Sequence, residues 1–377
     1  MRTRGAWRAL VPLMLLGSVF FGVPAGPAGA GVAEPPVAVE LPTVSGDAVY
    51  RGLLVADPGT WTGEGELEHA YRWFREEQEI DGATRPRYRP GLDDLGHRLH
   101  VVVTTTDESG QSGTAASEPT DRVRKASFAV AERPSVDGVA RFTRRLTADP
   151  GTWQPRRHAV RYRWFRGDRP ITGATSRRYR LQAADVGERV RVRVTVRKEG
   201  YRVARAFSRG RKVGHLVPVR RSVTYRIETR GRITASMKVF RRQVAQTLAD
   251  PRGWRSAGVS FRRVASGGSF SVVLAEASTV PSFSPVCSAS WSCRVGRYVI
   301  INQMRWQHAT PSWNHARKSL RSYRHMVLNH ETGHWLGHGH LGCGGRGQLA
   351  PVMMQQSKGL DGCRHNPWPL PSERWYR

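Results

Sequence analysis

Acidic residues are scarce in this chain. Thirty Asp and Glu stand against 60 Lys and Arg, a formal net charge of +30 in 377 residues. Long apolar runs are scarcer still. The stretch 9–23 falls short of the roughly 20 residues that a membrane helix needs, and no other segment is long and apolar enough to span a bilayer. Arg2, Arg4 and Arg8 precede that stretch and Ala28-Gly29-Ala30 follows it, so residues 1–30 read as a secretory signal peptide, with an uncleaved anchor as the alternative. The mature chain is then expected to be secreted, free of a transmembrane segment, and possible to retain on the cell wall. Cysteine is limited to four, with no C-x-x-C pair, which speaks against a Cys₄ zinc site. In an oxidising compartment four cysteines allow three pairings. The short loop from Cys287 to Cys293 favours that bridge and leaves Cys343 with Cys363.

The positive charge is unevenly spread. Residues 37–126 hold 10 Lys and Arg against 16 Asp and Glu, residues 127–216 hold 23 against 7, and residues 217–377 hold 24 against 6. Such a balance raises nucleic acid as a partner. The chain is read as exported, its arginines are scattered, and no nucleic-acid motif occurs, so no nucleic-acid partner is expected. Anionic cell-wall polymers, membrane surfaces or acidic substrates fit better, and arginine-rich codon usage in a GC-rich genome is the alternative that needs no partner.

What is present begins with an internal repeat, offset by about 91 residues. Ala56-Asp57-Pro58-Gly59-Thr60-Trp61 returns as Ala148-Asp149-Pro150-Gly151-Thr152-Trp153, and Tyr71-Arg72-Trp73-Phe74-Arg75 as Tyr162-Arg163-Trp164-Phe165-Arg166. Each copy ends on an alternating strand, with valine at every second position from Val190 to Val196 and arginine between. Period two places one face in a core and the other in solvent. Short strands and Gly, Pro and Asp turns over about 90 residues predict two small β-sandwiches, 37–126 and 127–216, with Trp73 and Trp164 in their cores. These segments resemble the immunoglobulin-like repeats of bacterial surface and secreted proteins, which implies spacer or carbohydrate- and wall-binding roles.

From residue 217 the pattern changes. Residues 221–229, 259–264, 270–277 and 298–304 read as strands, and 234–248 has the apolar spacing of a helix. A second helix is expected over 320–336 with Ser319 as N-cap, its inner face carrying Leu320, Tyr323, Val327, His330 and His334. The expected fold class is multidomain: two all-β sandwiches followed by an α+β domain over 217–377.

That helix ends in the motif with chemistry. Residues 330–340 read His-Glu-Thr-Gly-His-Trp-Leu-Gly-His-Gly-His, a complete H-E-x-x-H-x-x-G-x-x-H. His330 and His334, four apart, leave one helix face together. Gly337 lets the chain turn and bring His340 back as third ligand, with His338 the rival at a less suitable spacing. Three nitrogen ligands with an open fourth position suit one catalytic zinc ion, and Glu331 beside them is the general base.

Residues 330–340 resemble the zinc-binding consensus of metzincin metallopeptidases, which place a methionine turn below the metal. Here 351–356 offers that turn through Met353, or Met354. The whole of 217–377 resembles a family of secreted peptidases from GC-rich Gram-positive bacteria, through Arg324, 329–340, Cys343, 351–356 and 363–369. The resemblance implies a zinc-dependent endopeptidase acting on peptide or protein substrates. The chain departs from it in having no tyrosine after the turn, which leaves His365, Tyr376 and Arg324 as candidates to stabilise the transition state, and no recognisable latency switch. The alternative is a wall-binding protein whose metal domain is inactive or structural. A nucleic-acid binder would need a basic groove with interleaved aromatics.

Overall fold

The structure, a computed structural model, describes residues 34–375. The signal peptide expected at 1–30 and the candidate Tyr376 lie outside the described residues. The chain divides into two compact units with the break after Lys125; the second unit holds both the second repeat and the C-terminal region.

In the first unit a four-stranded antiparallel sheet is built on Glu68–Arg75 and Leu99–Thr106. It faces a three-stranded sheet of Thr43–Ser45, Leu54–Asp57 and Arg87–Tyr88. Leu54, Trp73, Leu99, Val101 and Val103 fill the space between them, which makes this repeat a β-sandwich. The second repeat forms the same sandwich from Ala159–Arg166 and Arg189–Arg197 against Arg145–Asp149 and its neighbours. Val190, Val192, Val194 and Val196 are fully buried, as the period-two pattern requires. Burying each valine contributes about 1.5–3 kcal/mol.

The repeated residues do repeated jobs. Trp73 and Trp164 are fully buried, each donating its indole N–H to a carbonyl, of Arg85 and of Ser176, at 2.9 Å. They stack on Tyr88 and Tyr179 at 5.4 and 5.5 Å. Each tyrosine hydroxyl donates to a buried aspartate, Tyr88 to Asp94 at 2.7 Å and Tyr179 to Asp185 at 2.8 Å. The same aspartates accept from Arg75 and Arg166 at 2.8 Å. The Asp-Pro-Gly-Thr-Trp turn closes on itself: Asp57 and Asp149 accept from the backbone of Gly59 and Gly151, and Trp61 and Trp153 donate to the carbonyls of Pro58 and Pro150.

The C-terminal region is different in kind. Its five-stranded sheet runs Val259–Arg263, Arg221–Arg230, Phe270–Ala275, Tyr298–Asn302, Cys293–Val295 from edge to edge. The first four strands are parallel and the last antiparallel. Phe270–Ala275 is buried along its whole length, as an inner parallel strand covered on both faces should be. The helices are α1 (Met237–Ala249), α2 (Gln303–His308), α3 (Pro311–His315) and α4 (Leu320–Trp335). Phe240 and Val244 of α1, Trp306 of α2, Trp313 of α3 and Tyr323 and Met326 of α4 join one core with the sheet. Ser319 caps α4, accepting from the amide of Ser322 at 3.2 Å.

Two expected strands end early. The strand expected over 298–304 stops at Asn302, whose side chain accepts from the amides of Met304 and Arg305 and so caps α2. That cap turns 303–304 into helix. The strand expected over 270–277 stops at Ala275, and a 3₁₀ helix occupies Ala277–Phe283. Two disulfides form, Cys287–Cys293 and Cys343–Cys363. Among the described residues no helix is long and apolar enough to cross a membrane.

Candidate metal centre

Helix α4 delivers His330 and His334 one turn apart, and Gly337, with φ of +100°, lets the chain leave the helix in a turn that brings His340 back. The Nε2 atoms of His330 and His334 are 3.1 Å apart, as are those of His334 and His340. One ligand atom from each of the three lies within 4.8 Å of the others.

The opposite ring nitrogens fix what these close approaches mean. His330 Nδ1 lies 2.8 Å from the carbonyl of Val352, and His334 Nδ1 lies 2.8 Å from the carbonyl of His338. A carbonyl only accepts, so both Nδ1 atoms carry the proton and both Nε2 atoms present lone pairs. Burial lowers the His330 pKa to about 3 and pulls that of His334 and His340 down as well, keeping the imidazoles neutral. Lone pairs converging at 3.1 Å repel unless a cation shares them. A tetrahedral zinc with bonds of about 2.0–2.1 Å would accept nitrogens at nearly this spacing, so the donor set fits the ion.

Glu331 is buried beside the ligands and faces the same cleft. It makes no hydrogen bond to any described residue. Desolvation raises its pKa to about 8, with the guanidinium of Arg294 acting in the opposite direction. Arg294, in the edge strand Cys293–Val295, donates to the carbonyl of His334 at 2.7 Å. The cleft has a volume of about 730 Å³, and its lining includes Trp291, Arg294, Gln355 and Lys358 as well as the histidines. Glu331 is the sole acidic side chain among the described residues that line it.

Below the histidines lies the methionine turn. Met353 is fully buried, and a Cβ added at Gly333 would sit 2.3 Å from its Sδ. The glycine between the first two ligands is therefore what admits the methionine against α4. Met354 instead lines a smaller pocket that shares His330 and Glu331 with the cleft. Buried Glu373 accepts from the amides of Val352, Met353 and Leu370, at 3.0, 2.8 and 2.7 Å. Gln356 and Asn366 bond each other and the carbonyls of Pro351 and Ala350, which ties the turn to 363–369.

His330, His334, His340 and Glu331 therefore meet at one place. His338 points elsewhere: its Nε2 faces the carbonyl of Trp375 at 2.8 Å and its ring stacks on Trp254. Arg324 also leaves the cleft, bonding the carbonyl of Trp306 and the side chain of Gln243, and His365 packs on Trp313. Neither can act on a substrate held at the histidines. Lys358, Arg294, Gly333 and Glu373 were not anticipated. Of Glu373's three partners only the amide of Leu370 is local; those of Val352 and Met353 lie about twenty residues away and leave no sequence pattern.

A family described as "Protein of unknown function (DUF3152)" matches residues 204–371, which include the whole cleft. No curated protein matches the chain. Among solved structures, similarity is found to the three N-terminal domains of the outer capsid protein Hoc of bacteriophage RB49, at 17% identity and TM-score 0.21, over 49% of this chain and 65% of that one. A Ca²⁺-stabilised ice-binding adhesin of an Antarctic bacterium is similar at 12% identity and TM-score 0.23, over 51% and 52%. Murine CEACAM1b is similar at 11% identity and TM-score 0.19, over 46% and 98%. The chain thus spans less than two thirds of the first two of these structures.

Proposed function

We propose that the C-terminal region, 217–377, is a metzincin-type zinc endopeptidase that acts outside the cell on peptide or protein substrates. The convergence of three imidazole nitrogens on one point, two of them with lone pairs fixed toward it, beside a buried carboxylate with no protein partner among the described residues, carries this reading. A zinc ion bound there supplies Lewis-acid polarisation of the scissile carbonyl and of water. His330 and His334 hold their lone pairs toward it because Val352 and His338 fix their tautomers. Glu331 takes a proton from the attacking water and returns it to the leaving amine. Its buried position keeps the carboxylate basic, and its freedom from hydrogen bonds leaves both oxygens available. Among the described residues Lys358 and Arg294 are the Lys and Arg side chains that line the cleft, and Lys358 is the one we assign to meet negative charge developing on the carbonyl oxygen.

A structural zinc site is usually closed by four protein ligands. Among the described residues three are gathered here, which favours the enzyme over an inactive metal domain. The two disulfides accord with an oxidising compartment. The test is zinc content measured beside cleavage of a peptide library. His334→Ala and His340→Ala should both lose the metal and the activity, whereas His338→Ala should keep its zinc. A parent protein without zinc, or a His338→Ala protein that loses it while His340→Ala does not, contradicts the assignment.

A further inference from the structure

The outer face of the second sandwich carries an arrangement that its fold does not require. Three adjacent strands, Ala159–Arg166, Arg189–Arg197 and Ala204–Phe207, lie in register there. Arg163 stands opposite Arg193, Arg161 opposite Thr195, and Thr195 opposite Arg205. Like charges directly across a strand pair are destabilising. Of Arg161, Arg163, Arg191, Arg193 and Arg205, only Arg191 has an acidic partner among the described residues, the exposed Asp168. The first sandwich shows that the fold manages without them. Its equivalent rows place Arg72 opposite Val102 and Val102 opposite Ala116, and Ala70 opposite Thr104. Codon usage would enrich both repeats alike, yet the first holds 10 basic residues and the second 23.

The arginines are also held in place. The Arg191 guanidinium lies 4.3 Å over the ring of Phe207 and that of Arg193 lies 5.3 Å over Phe165. The Nε atoms of Arg191 and Arg193 are buried without a protein partner. Stacking on an aromatic face fixes the plane of the guanidinium and leaves its donor edge to bind an anion in two-point fashion. Successive outward positions along one strand are about 6.6–6.8 Å apart, and where the central strand carries Thr195 its neighbours supply Arg161 and Arg205, so each row from 191 to 195 holds at least one cation.

We propose that this face of the second sandwich binds a linear polyol phosphate polymer, with Arg163 and Arg193 sharing one phosphodiester and Arg205 contacting the next. A phosphodiester carries its charge on two non-bridging oxygens, so guanidiniums on opposite strands can each take one, and unlike a carboxylate it stays ionised into strong acid. Single-stranded nucleic acid is disfavoured because Phe165 is buried and Phe207, the exposed ring of the pair, already carries the Arg191 guanidinium on one face, which leaves no run of aromatic platforms for successive bases.

The experiment uses the full chain and fluorescently labelled poly(glycerol phosphate), read by anisotropy across a salt series. The triple variant Arg163→Gln, Arg193→Gln, Arg205→Gln should bind about tenfold or more weakly and lower the slope of log affinity against log salt by about two to three. A matched variant, Arg133→Gln, Arg156→Gln, Arg157→Gln, removes the same charge from exposed positions of the same repeat and should stay within about twofold, since it touches no designated contact. Unchanged melting temperature confirms that the fold is intact, and the single exposed change Arg205→Gln serves if the triple variant melts early. Equal losses in the two triple variants would reduce the effect to net charge and overturn the proposal. So would tighter binding of a single-stranded oligonucleotide or of polyglutamate of equal length.

Discussion

The sandwiches and the C-terminal region each bury carboxylates, but they treat them in opposite ways. Asp94 accepts from Arg75, Tyr88 and the amide of Gly91, and Asp185 from Arg166, Tyr179 and the amide of Gln182. In the C-terminal region Glu373 is likewise saturated, by three amides. Glu331, 6% exposed where the other three are fully enclosed, has no hydrogen bond within the described residues and opens on the cleft. Buried polar groups are normally satisfied, because an unsatisfied one costs free energy. Three of these four carboxylates hold the fold together. The fourth has no protein partner among the described residues and faces the cleft where three imidazoles converge, which is what a group reserved for chemistry looks like.

Removing a saturated carboxylate should therefore cost far more than removing the unsaturated one. Asp185→Ala strands a guanidinium and a phenol in the second sandwich and should destabilise it by about 3–5 kcal/mol, read by chemical denaturation. Glu331→Gln should leave the C-terminal region as stable as the parent or more so; a loss as large as that of Asp185→Ala would mean that Glu331 is structural. Between these extremes lies Gly333→Ala, whose methyl would meet Met353 Sδ and Trp254. Overpacking of this kind costs about 1–3 kcal/mol, and the displaced methionine should lower zinc affinity with it. If Gly333→Ala retains both stability and zinc, the close contact under α4 has no role in the site.

The smallest effect is in pH dependence. In zinc-depleted protein the Glu331 pKa is raised to about 8 from an ordinary value of 4.5. The protonated form is the one the fold prefers, so this contribution to stability is complete below pH 4.5 and is lost as pH rises through about 8. His330 has the opposite sign: its pKa is lowered to about 3, so its contribution is present above pH 6.5 and lost as pH falls toward 3. The difference between the parent and Glu331→Gln isolates the first term. Melting temperatures of the two should diverge above pH 5, the parent falling more steeply toward pH 8.5. Parallel curves would show that burial does not hold the proton on Glu331.

Much of this was legible in the chain. The offset of 91 residues and the strict alternation from Val190 to Val196 point to two sandwiches because period two has one structural meaning. The three histidines and Glu331 are legible because helix geometry converts a spacing of four into a shared face. Asp94 and Asp185 recur at the same offset and could have been read as part of the repeat; their role is invisible without the tyrosine and arginine that surround them in space. Lys358 and Glu373 were out of reach for another reason. Lys358 reaches the cleft, and Glu373 the methionine turn, through tertiary folding, and a single Lys or Glu carries no periodic signal. Residues 303–304 extend the β-prone run before Asn302 in pattern alone; the Asn302 side chain, as a helix cap, turns them into helix.

The most direct measurement is made on the Glu331→Gln protein, with zinc by plasma emission and peptide cleavage taken on the same sample. All three imidazoles remain, so zinc should stay near one equivalent per chain. The group that moves the proton is gone, so cleavage should fall by about 10²–10⁴-fold. Zinc retained with activity unchanged would contradict the account, because the one buried carboxylate left unbonded would then have no part in the chemistry.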